Sequence, residues 1–446
     1  MKLTSKWGWA FWLVAMLPLS GYLGTQMFVQ PQKPDFLIGQ TTHGHHQIEL
    51  ECTVCHQTPF GGKEVLQEAC VSCHAAELKV AQDSHPKTKF TDPRNVDRLE
   101  KVDARYCVAC HAEHNEDITR PMGVTMPTDY CFHCHQDIAE DRASHEGMAF
   151  DTFASSGCHN FHDNRALYED FLVANAHSEW LLDTPASSEI NVRSYVKFLG
   201  QLPEQAPHNQ IPEHMAESAT TYHSDWAGSA HQRSNVGCNS CHGEASDWQA
   251  RPAEQVCMNC HQQEVETFKR GKHGMRLAQN LSPMTPAQSM NSHGKLAFKS
   301  ANLDQTLTCN TCHNPHSVNR QEASVASCLS CHDDKHSLAF ENSPHGKLWQ
   351  AFLKDELPEA QAVSCATCHL PRIEVEQFNE TFTLVQHNQN DTLRPNEKMI
   401  RPVCMDCHGL TFAIDALADE TLIVNNFAGQ PGRHIESVDL ALKRVR

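Results

Sequence analysis

Apolar residues are concentrated in one run near the N-terminus and are otherwise scattered in short groups. The run spans Trp7–Gly24 and follows Lys2 and Lys6. It reaches about the minimum length of a membrane span if residues 27–29 are included. Lysines before the run and none within it place the N-terminus in the cytoplasm and the rest outside. Residues 1–30 are therefore predicted to form a retained membrane anchor, with a cleaved secretory signal as the alternative.

The remainder of the chain shows short helical patterns and little strand-like alternation. The best helical candidates are Ala166–Asn175, Gln262–Arg270, Lys347–Glu356 and Phe412–Asp419. We expect a mostly α-helical fold with extensive irregular loops. The apolar fraction of 40% and the mean hydropathy of −0.51 are low for ordinary protein cores, so other apolar material is needed to stabilise this fold.

Cysteine and histidine supply the strongest pattern. Ten copies of Cys-x-x-Cys-His occur, and this spacing is the attachment site for c-type haem. Zinc sites do not require a histidine directly after the second cysteine, and the cysteine content is below that of disulfide-rich small folds. The ten motifs consist of Cys52, Cys55, His56; Cys70, Cys73, His74; Cys107, Cys110, His111; Cys131, Cys134, His135; Cys238, Cys241, His242; Cys257, Cys260, His261; Cys309, Cys312, His313; Cys328, Cys331, His332; Cys365, Cys368, His369; and Cys404, Cys407, His408.

The spacing explains the chemistry. Two cysteines three residues apart lie on one helical turn, so both thiols face one porphyrin edge and bond its two vinyl groups. The following histidine becomes the proximal ligand of the iron. We therefore predict ten covalent haems, around which the chain is organised and which form much of its core.

The motifs fall into two clusters. Residues 40–175 hold four and are predicted to form a tetrahaem domain, and residues 223–446 hold six and are predicted to form a hexahaem domain. The cysteine-free residues 176–222 carry four prolines, as a connector would. Motif pairs recur at nearly one spacing: Cys52 to Cys70, Cys238 to Cys257 and Cys309 to Cys328. Such a repeat suggests a duplicated unit that brings two haems into close contact.

Histidines outside the motifs are numerous enough to supply a second axial ligand to most irons. Such six-coordinate, low-spin irons pass single electrons and leave no position for a substrate. The candidates for distal ligands are His43, His46, His85, His114, His145, His223, His231, His273, His293, His316, His336, His345 and His387.

The twenty-first cysteine, Cys158, precedes His159, and Ser155 stands where the first cysteine of an eleventh motif would be. Three interpretations are open. Cys158 attaches an eleventh haem by one thioether with His159 as proximal ligand, or its thiolate ligates a neighbouring iron and marks a catalytic centre. In the third, the thiol is free or buried, and His159 and His162 cap the helix Ala166–Asn175 or ligate other irons.

Two resemblances follow from these motifs. The doubled motif and the histidine-rich lead-in to Cys52 resemble class III multihaem cytochromes over residues 40–165. The region from His231 to the last motif resembles the octahaem hydroxylamine oxidoreductase superfamily, which includes nitrite- and tetrathionate-reducing cytochromes. The second resemblance is carried by Cys309-Asn-Thr-Cys-His-Asn-Pro-His316, Cys328-Leu-Ser-Cys-His-Asp-Asp-Lys-His336, Ser343-Pro-His345-Gly, Cys365-Ala-Thr-Cys-His-Leu-Pro-Arg372 and His387-Asn. It implies that His316, His336, His345 and His387 are distal ligands.

Two departures weigh against the enzymes of that superfamily and its relatives. The hydroxylamine-oxidising members cross-link a C-terminal tyrosine to their catalytic haem, and this chain has no tyrosine after Tyr222. The pentahaem nitrite reductases use lysine in their catalytic motif, and no Cys-x-x-Cys-Lys occurs here.

The sequence predicts a periplasmic electron carrier on the outer side of the bacterial inner membrane. Its expected partners are a quinol dehydrogenase, other cytochromes and a terminal reductase. The alternatives are an enzyme acting on a small nitrogen or sulfur oxyanion at one haem and, more remotely, a conductive filament. The net charge of −18 and the lack of a basic stripe argue against a nucleic-acid partner and favour basic or neutral redox proteins.

Overall fold

The computed structural model of this chain describes residues 5–28, 38–58, 61–93, 99–100, 102–115, 123–127, 130–142, 145–146, 159–163, 167, 169–178, 209–289, 297–377, 380–393 and 396–445. Most regular structure in these residues is helical, which confirms the predicted class. The longer helices are Ser5–Phe28, Lys63–Ala81, Ala216–Ala227, Gln262–Arg270, Pro344–Leu353, Leu410–Ala418 and Ser437–Val445.

Short helices and single turns connect these elements. The short α-helices are Cys52–Cys55, Ile138–Asp141, Glu169–Asn175, Ala230–Arg233, Cys238–His242, Glu254–Met258, Met275–Ala278, Pro286–Ser289, Cys309–Cys312, Ser327–Cys331, Lys335–Ala339, Cys365–His369, Asn390–Leu393 and Glu420–Val424. Single 3-10 turns cover His46–Ile48, Lys87–Phe90, Cys107–Ala109, Tyr130–His133, Glu213–Met215, Ser300–Asn302, Phe340–Asn342, Glu359–Gln361, Asn396–Met399 and Cys404–Asp406, and one π-turn covers Glu322–Ala326.

The predicted helices are present with small shifts at their ends. The helix Gln262–Arg270 has the predicted bounds. The helix predicted from Lys347 begins three residues earlier, because Ser343 caps it by accepting a hydrogen bond from the Gly346 amide and Pro344 suits the first turn.

One β-hairpin was not expected from the scarcity of alternating patterns. Strand β1 (Arg372–Gln377) pairs antiparallel with β2 (Glu380–Val385), in a register that places Ile373 opposite Leu384. The alternation of apolar and charged residues in Arg-Ile-Glu-Val-Glu-Gln is the signal that could have predicted it.

The N-terminal segment is a single helix, Ser5–Phe28, of 24 residues. Among the described residues, no helix combines the length and the apolar content that crossing a membrane requires. The predicted membrane-spanning anchor is therefore not supported. The physical reason is composition, since the helix includes glycine at positions 8, 21 and 24 and polar residues at positions 20, 25 and 26, which dilute its apolar residues.

The chain divides into two compact units. One comprises Met1–Ser72 with Asp103–Met126, and the other comprises Cys73–Val102 with Pro127–Arg446. The tetrahaem, connector and hexahaem boundaries given above stay a prediction, and residues 179–208 of the connector lie outside the described residues.

The largest apolar core belongs to the second unit. The helix Leu410–Ala418 supplies its centre, since Leu410 is fully buried and Ile414 is 4% exposed. The helix Ser437–Val445 packs against it through Val438 and Ala441. The remaining members of this cluster are Leu167, Leu172, Met399, Ile400, Val403, Ala413 and Leu417.

We expect Leu410→Ala to destabilise the second unit by about 2–5 kcal/mol, because it removes buried methyl groups and leaves a cavity. Val424→Ala is the matched control: Val424 is 46% exposed, so its loss costs about 0.5 kcal/mol or less. Denaturant unfolding followed by far-UV circular dichroism measures both. Equal unfolding midpoints for the two variants would contradict this account of the core.

Candidate haem sites

Each motif is built on a tight helical turn. The backbone N–H of the motif histidine donates to the carbonyl of the first cysteine at 2.8–3.0 Å in the motifs that begin at Cys52, Cys107, Cys131, Cys257, Cys309, Cys328 and Cys404. The twenty described cysteines are thiols rather than disulfides. Two thiols on one turn have the placement that two thioether bonds to one porphyrin need.

Among the described residues, a second histidine ring faces the motif histidine in seven of the ten motifs. The two ring centroids lie 6.1–6.3 Å apart in every case, although the partners come from different parts of the chain. The pairs, motif histidine first, are His135–His85, His242–His316, His261–His231, His313–His387, His332–His273, His369–His336 and His408–His345.

This constant spacing fits an iron between the two rings. Two imidazole nitrogens on opposite sides of a metal, each with a bond of about 2.0 Å, hold their ring centroids about 6 Å apart. Direct aromatic contacts vary more, as in the 4.3 Å between His85 and Phe161 and the 6.5 Å between His85 and Phe90. The angle between the paired ring planes ranges from 3° to 82°, which ligation allows because each ring is free to rotate about its metal–nitrogen bond.

Hydrogen bonds at Nδ1 orient many of these rings. A carbonyl oxygen only accepts, so an Nδ1 atom bonded to one carries the proton, and the lone pair of Nε2 is left for a metal. The Nδ1–carbonyl distances are 2.5–3.1 Å. They join His85 to Phe161, His111 to Gly123, His114 to Gly39, His231 to Pro315, His242 to Gln249, His336 to Ile423 and His387 to Val385.

Burial keeps the deepest imidazoles neutral, as metal ligation requires. It lowers the pKa of His273 to about 4, with the neighbouring His332 adding to the effect. It also lowers the pKa values of His345 and His369 to about 4. These side chains therefore fit a haem iron in both geometry and protonation state.

His434 illustrates a histidine that is not available to a metal. Its Nδ1 lies 2.9 Å from Asp415 and its Nε2 lies 2.6 Å from Asp439, so both nitrogens are bonded to carboxylates. These hydrogen bonds raise the pKa of His434 to about 9. It is a structural residue and serves as a control below.

The histidine pairs of consecutive motifs lie beside one another between residues 231 and 408. The pKa of His316 is lowered by burial and by both His242 and His231. His313 is likewise affected by His261, and His387 also interacts with His261.

The next pairs continue in the same order. His273 interacts with His387 and His369 as well as with its own partner, His332. His345 interacts with His336 in addition to His408. Phe427 contacts both of these last two distal histidines, with ring centroids 6.3 Å from His336 and 6.0 Å from His345.

Thiols of consecutive motifs also meet. A hydrogen bond between Cys257 and Cys309 raises the pKa of Cys309, and one between Cys328 and Cys365 raises that of Cys328. In the first unit, a hydrogen bond from Cys107 raises the pKa of Cys70. Since these sulfur atoms would carry the porphyrin edges, their proximity brings the edges of successive haems together.

In the first unit a carboxylate contacts His45, and the backbone at Gly39 lies close to that at His114. The His45 Nδ1 lies 2.7 Å from Glu113. Burial acts to raise the pKa of Glu113, but hydrogen bonds from His45 and Thr42 lower it to about 2. A Cβ on Gly39 would lie 2.4 Å from the His114 carbonyl oxygen. Only glycine therefore allows the backbones at positions 39 and 114 to approach this closely.

The remaining candidates have different outcomes. His43 and His46 pack together at 5.6 Å, and His223 contacts Trp226 at 5.6 Å. His145 lies 6.0 Å from His159. His293 and Cys158 lie outside the described residues. The distal ligands of His56, His74 and His111 stay a prediction.

His45 is not among the candidates named from the sequence, and the structure places it beside Glu113. Its link to Glu113 joins residues 68 positions apart, and no local pattern indicates it. The carbonyl groups that accept from Nδ1 could not be predicted from the sequence either, because any residue type offers a backbone carbonyl.

We expect His345→Ala to convert one iron from low-spin to high-spin, since the facing His408 would keep only one axial position filled. The number of covalent haems should stay unchanged, because the thiols are intact. Electron paramagnetic resonance of the oxidised holoprotein measures the change. His434→Ala is the matched control and should leave the haem signals as in the wild type; a His345→Ala spectrum equal to the control's would contradict this ligand assignment.

Comparison with known proteins agrees with this geometry. Residues 44–136 match the family model of cytochrome c3. No curated protein matches the chain. The matched region includes the first four attachment motifs, and the six later motifs repeat the same residues and the same turn. The match at residues 44–136 and the ten attachment motifs support a multihaem c-type cytochrome.

Proposed function

We propose that this chain is a periplasmic carrier of electrons with ten haems bound at its Cys-x-x-Cys-His motifs. The observation that carries the proposal is the set of seven histidine pairs at 6.1–6.3 Å. Bound haem supplies one-electron transfer through its iron. An iron held between two such imidazoles would have no open position for a substrate, so electron transfer is the chemistry that these seven pairs favour.

The arrangement of ligands supports a route in sequence order through the second unit. The pairs built on His242, His261, His313, His332, His369 and His408 are neighbours in that order. The thiol contacts Cys257–Cys309 and Cys328–Cys365 join the same consecutive motifs. The chain thereby holds successive redox groups close together. Electrons would enter or leave this series at its two ends, the motifs of Cys238 and Cys404.

The proposed location and partners rest on the cysteine content and net charge of the chain. The twenty-one cysteines of this chain are more consistent with an exported protein that binds haem covalently than with a cytosolic protein. The net charge of −18 favours docking to basic or neutral redox proteins. We propose a quinol dehydrogenase or another cytochrome as donor, and a terminal reductase or another cytochrome as acceptor.

The resemblance of the C-terminal region to octahaem cytochromes is compatible with a carrier. The four histidines that it implies as distal ligands, His316, His336, His345 and His387, each lie 6.1 Å from a motif histidine. Every one of these four sites therefore has both axial ligands within reach. An enzyme of that superfamily needs at least one iron with an open position.

The spin state of the oxidised holoprotein tests the proposal. We expect only low-spin signals in its electron paramagnetic resonance spectrum, and no turnover with nitrite, hydroxylamine or tetrathionate. His345→Ala serves as the positive control, because it shows that one high-spin iron among ten is detectable. A high-spin signal in the wild type, with turnover of any of these substrates, would replace the carrier with the enzyme.

A further inference from the structure

Among the described residues, one histidine pair outside the ten motifs joins two segments that are distant in the chain. The rings of His145 and His159 have their centroids 6.0 Å apart, with an angle of 48° between their planes. This spacing matches that of the seven pairs built on motif histidines. The two residues are 14 positions apart, so helical neighbourhood does not produce the contact, as it does for His43 and His46 in one turn.

The sequence places a thiol directly before His159. In all ten motifs the residue before the proximal histidine is the second cysteine, and Cys158 has this position relative to His159. Ser155 occupies the place of the first cysteine. Cys158 is also the one cysteine of this chain that belongs to no complete motif.

The segment that follows His159 has a defined structure. The Asn160 side-chain oxygen accepts from the backbone N–H groups of His162 and Asp163, both at 2.9 Å. The His162 carbonyl accepts from the Ser84 amide at 2.8 Å, and its Nδ1 lies 3.0 Å from Asp83. The chain at His159 is therefore held against residues 83–85.

The segment that follows His159 also supports His85, the histidine that faces the fourth motif. The Phe161 carbonyl accepts the hydrogen bond of His85 Nδ1 at 2.5 Å, and the Phe161 and His85 rings stack at 4.3 Å. His85 in turn faces His135. An iron between His145 and His159 would thus lie beside one held between His85 and His135.

We propose that His145 and His159 are the axial ligands of an eleventh haem, attached to the chain by one thioether bond from Cys158. In this attachment the Cys158 S–H adds across one vinyl group. A carbon–sulfur bond forms, the vinyl π bond breaks, and the thiol proton goes to the terminal vinyl carbon, so no electrons are gained or lost. The second vinyl group stays intact because Ser155 has no thiol. This inference rests on the proposed function.

Intact-mass measurement of the denatured full-length holoprotein tests the attachment. We expect eleven covalent haems in the wild type and ten in Cys158→Ser, with the other ten unaffected, which also reports that the variant folds and matures. Ser156→Ala, between Ser155 and Cys158, is the matched control and should keep eleven. Ten haems in the wild type, or an equal number in wild type and Cys158→Ser, would overturn the proposal.

Two further variants probe the single thioether and the ligands. The pyridine haemochrome band of the wild type should include a component at longer wavelength from the intact vinyl group, and Ser155→Cys should remove that component while the haem count stays at eleven. His145→Ala should keep eleven covalent haems and gain one high-spin iron, whereas His434→Ala should not. A haemochrome band unaffected by Ser155→Cys, or a His145→Ala spectrum without a high-spin signal, would overturn the corresponding part.

These outcomes are separate from those of the proposed function. A count of ten covalent haems with only low-spin irons would support the electron carrier and contradict the eleventh haem. Eleven covalent haems with a high-spin iron in the wild type retain the added haem and remove the carrier.

Discussion

The structure depends on one interaction, the facing of two imidazole rings across a distance that matches an iron between them. Seven such pairs join a motif histidine to a histidine that is distant in the chain, as far as 74 positions between His313 and His387. Each pair therefore ties two segments together at a fixed spacing. Bound iron would convert these contacts into strong coordinate bonds, which explains how short helices and irregular loops can hold a defined shape. Apolar packing contributes most in the cluster of the second unit to which the helices Leu410–Ala418 and Ser437–Val445 both contribute residues.

Orientation of the rings is as important as their spacing. The backbone carbonyls that accept from Nδ1 fix the tautomer and direct Nε2 at the metal. His336 receives this support from Ile423, and the same region places Phe427 against both His336 and His345. The C-terminal residues thereby support two neighbouring sites at once. In the first unit the Nδ1 of His45 lies 2.7 Å from the carboxylate of Glu113 rather than from a carbonyl.

The sequence predicted the chemistry better than the architecture. The attachment motifs could be recognised because covalent haem binding needs particular residues at fixed local spacing. The helix Gln262–Arg270 could be placed because its pattern is local as well. Pairings such as His332 with His273 could not be assigned, since a distal histidine is defined by tertiary contact and any of about twenty residues offers the same side chain. The predicted membrane anchor is not supported, since no described helix has both the length and the apolar content of a membrane span, and glycines and polar residues lie within the N-terminal helix.

An anomalous difference map at the iron absorption edge, from crystals of the holoprotein, tests the central claim most directly. The account predicts an iron peak midway between the Nε2 atoms of each of the seven histidine pairs. Irons bound on one side only, with the facing histidines turned away, would contradict it.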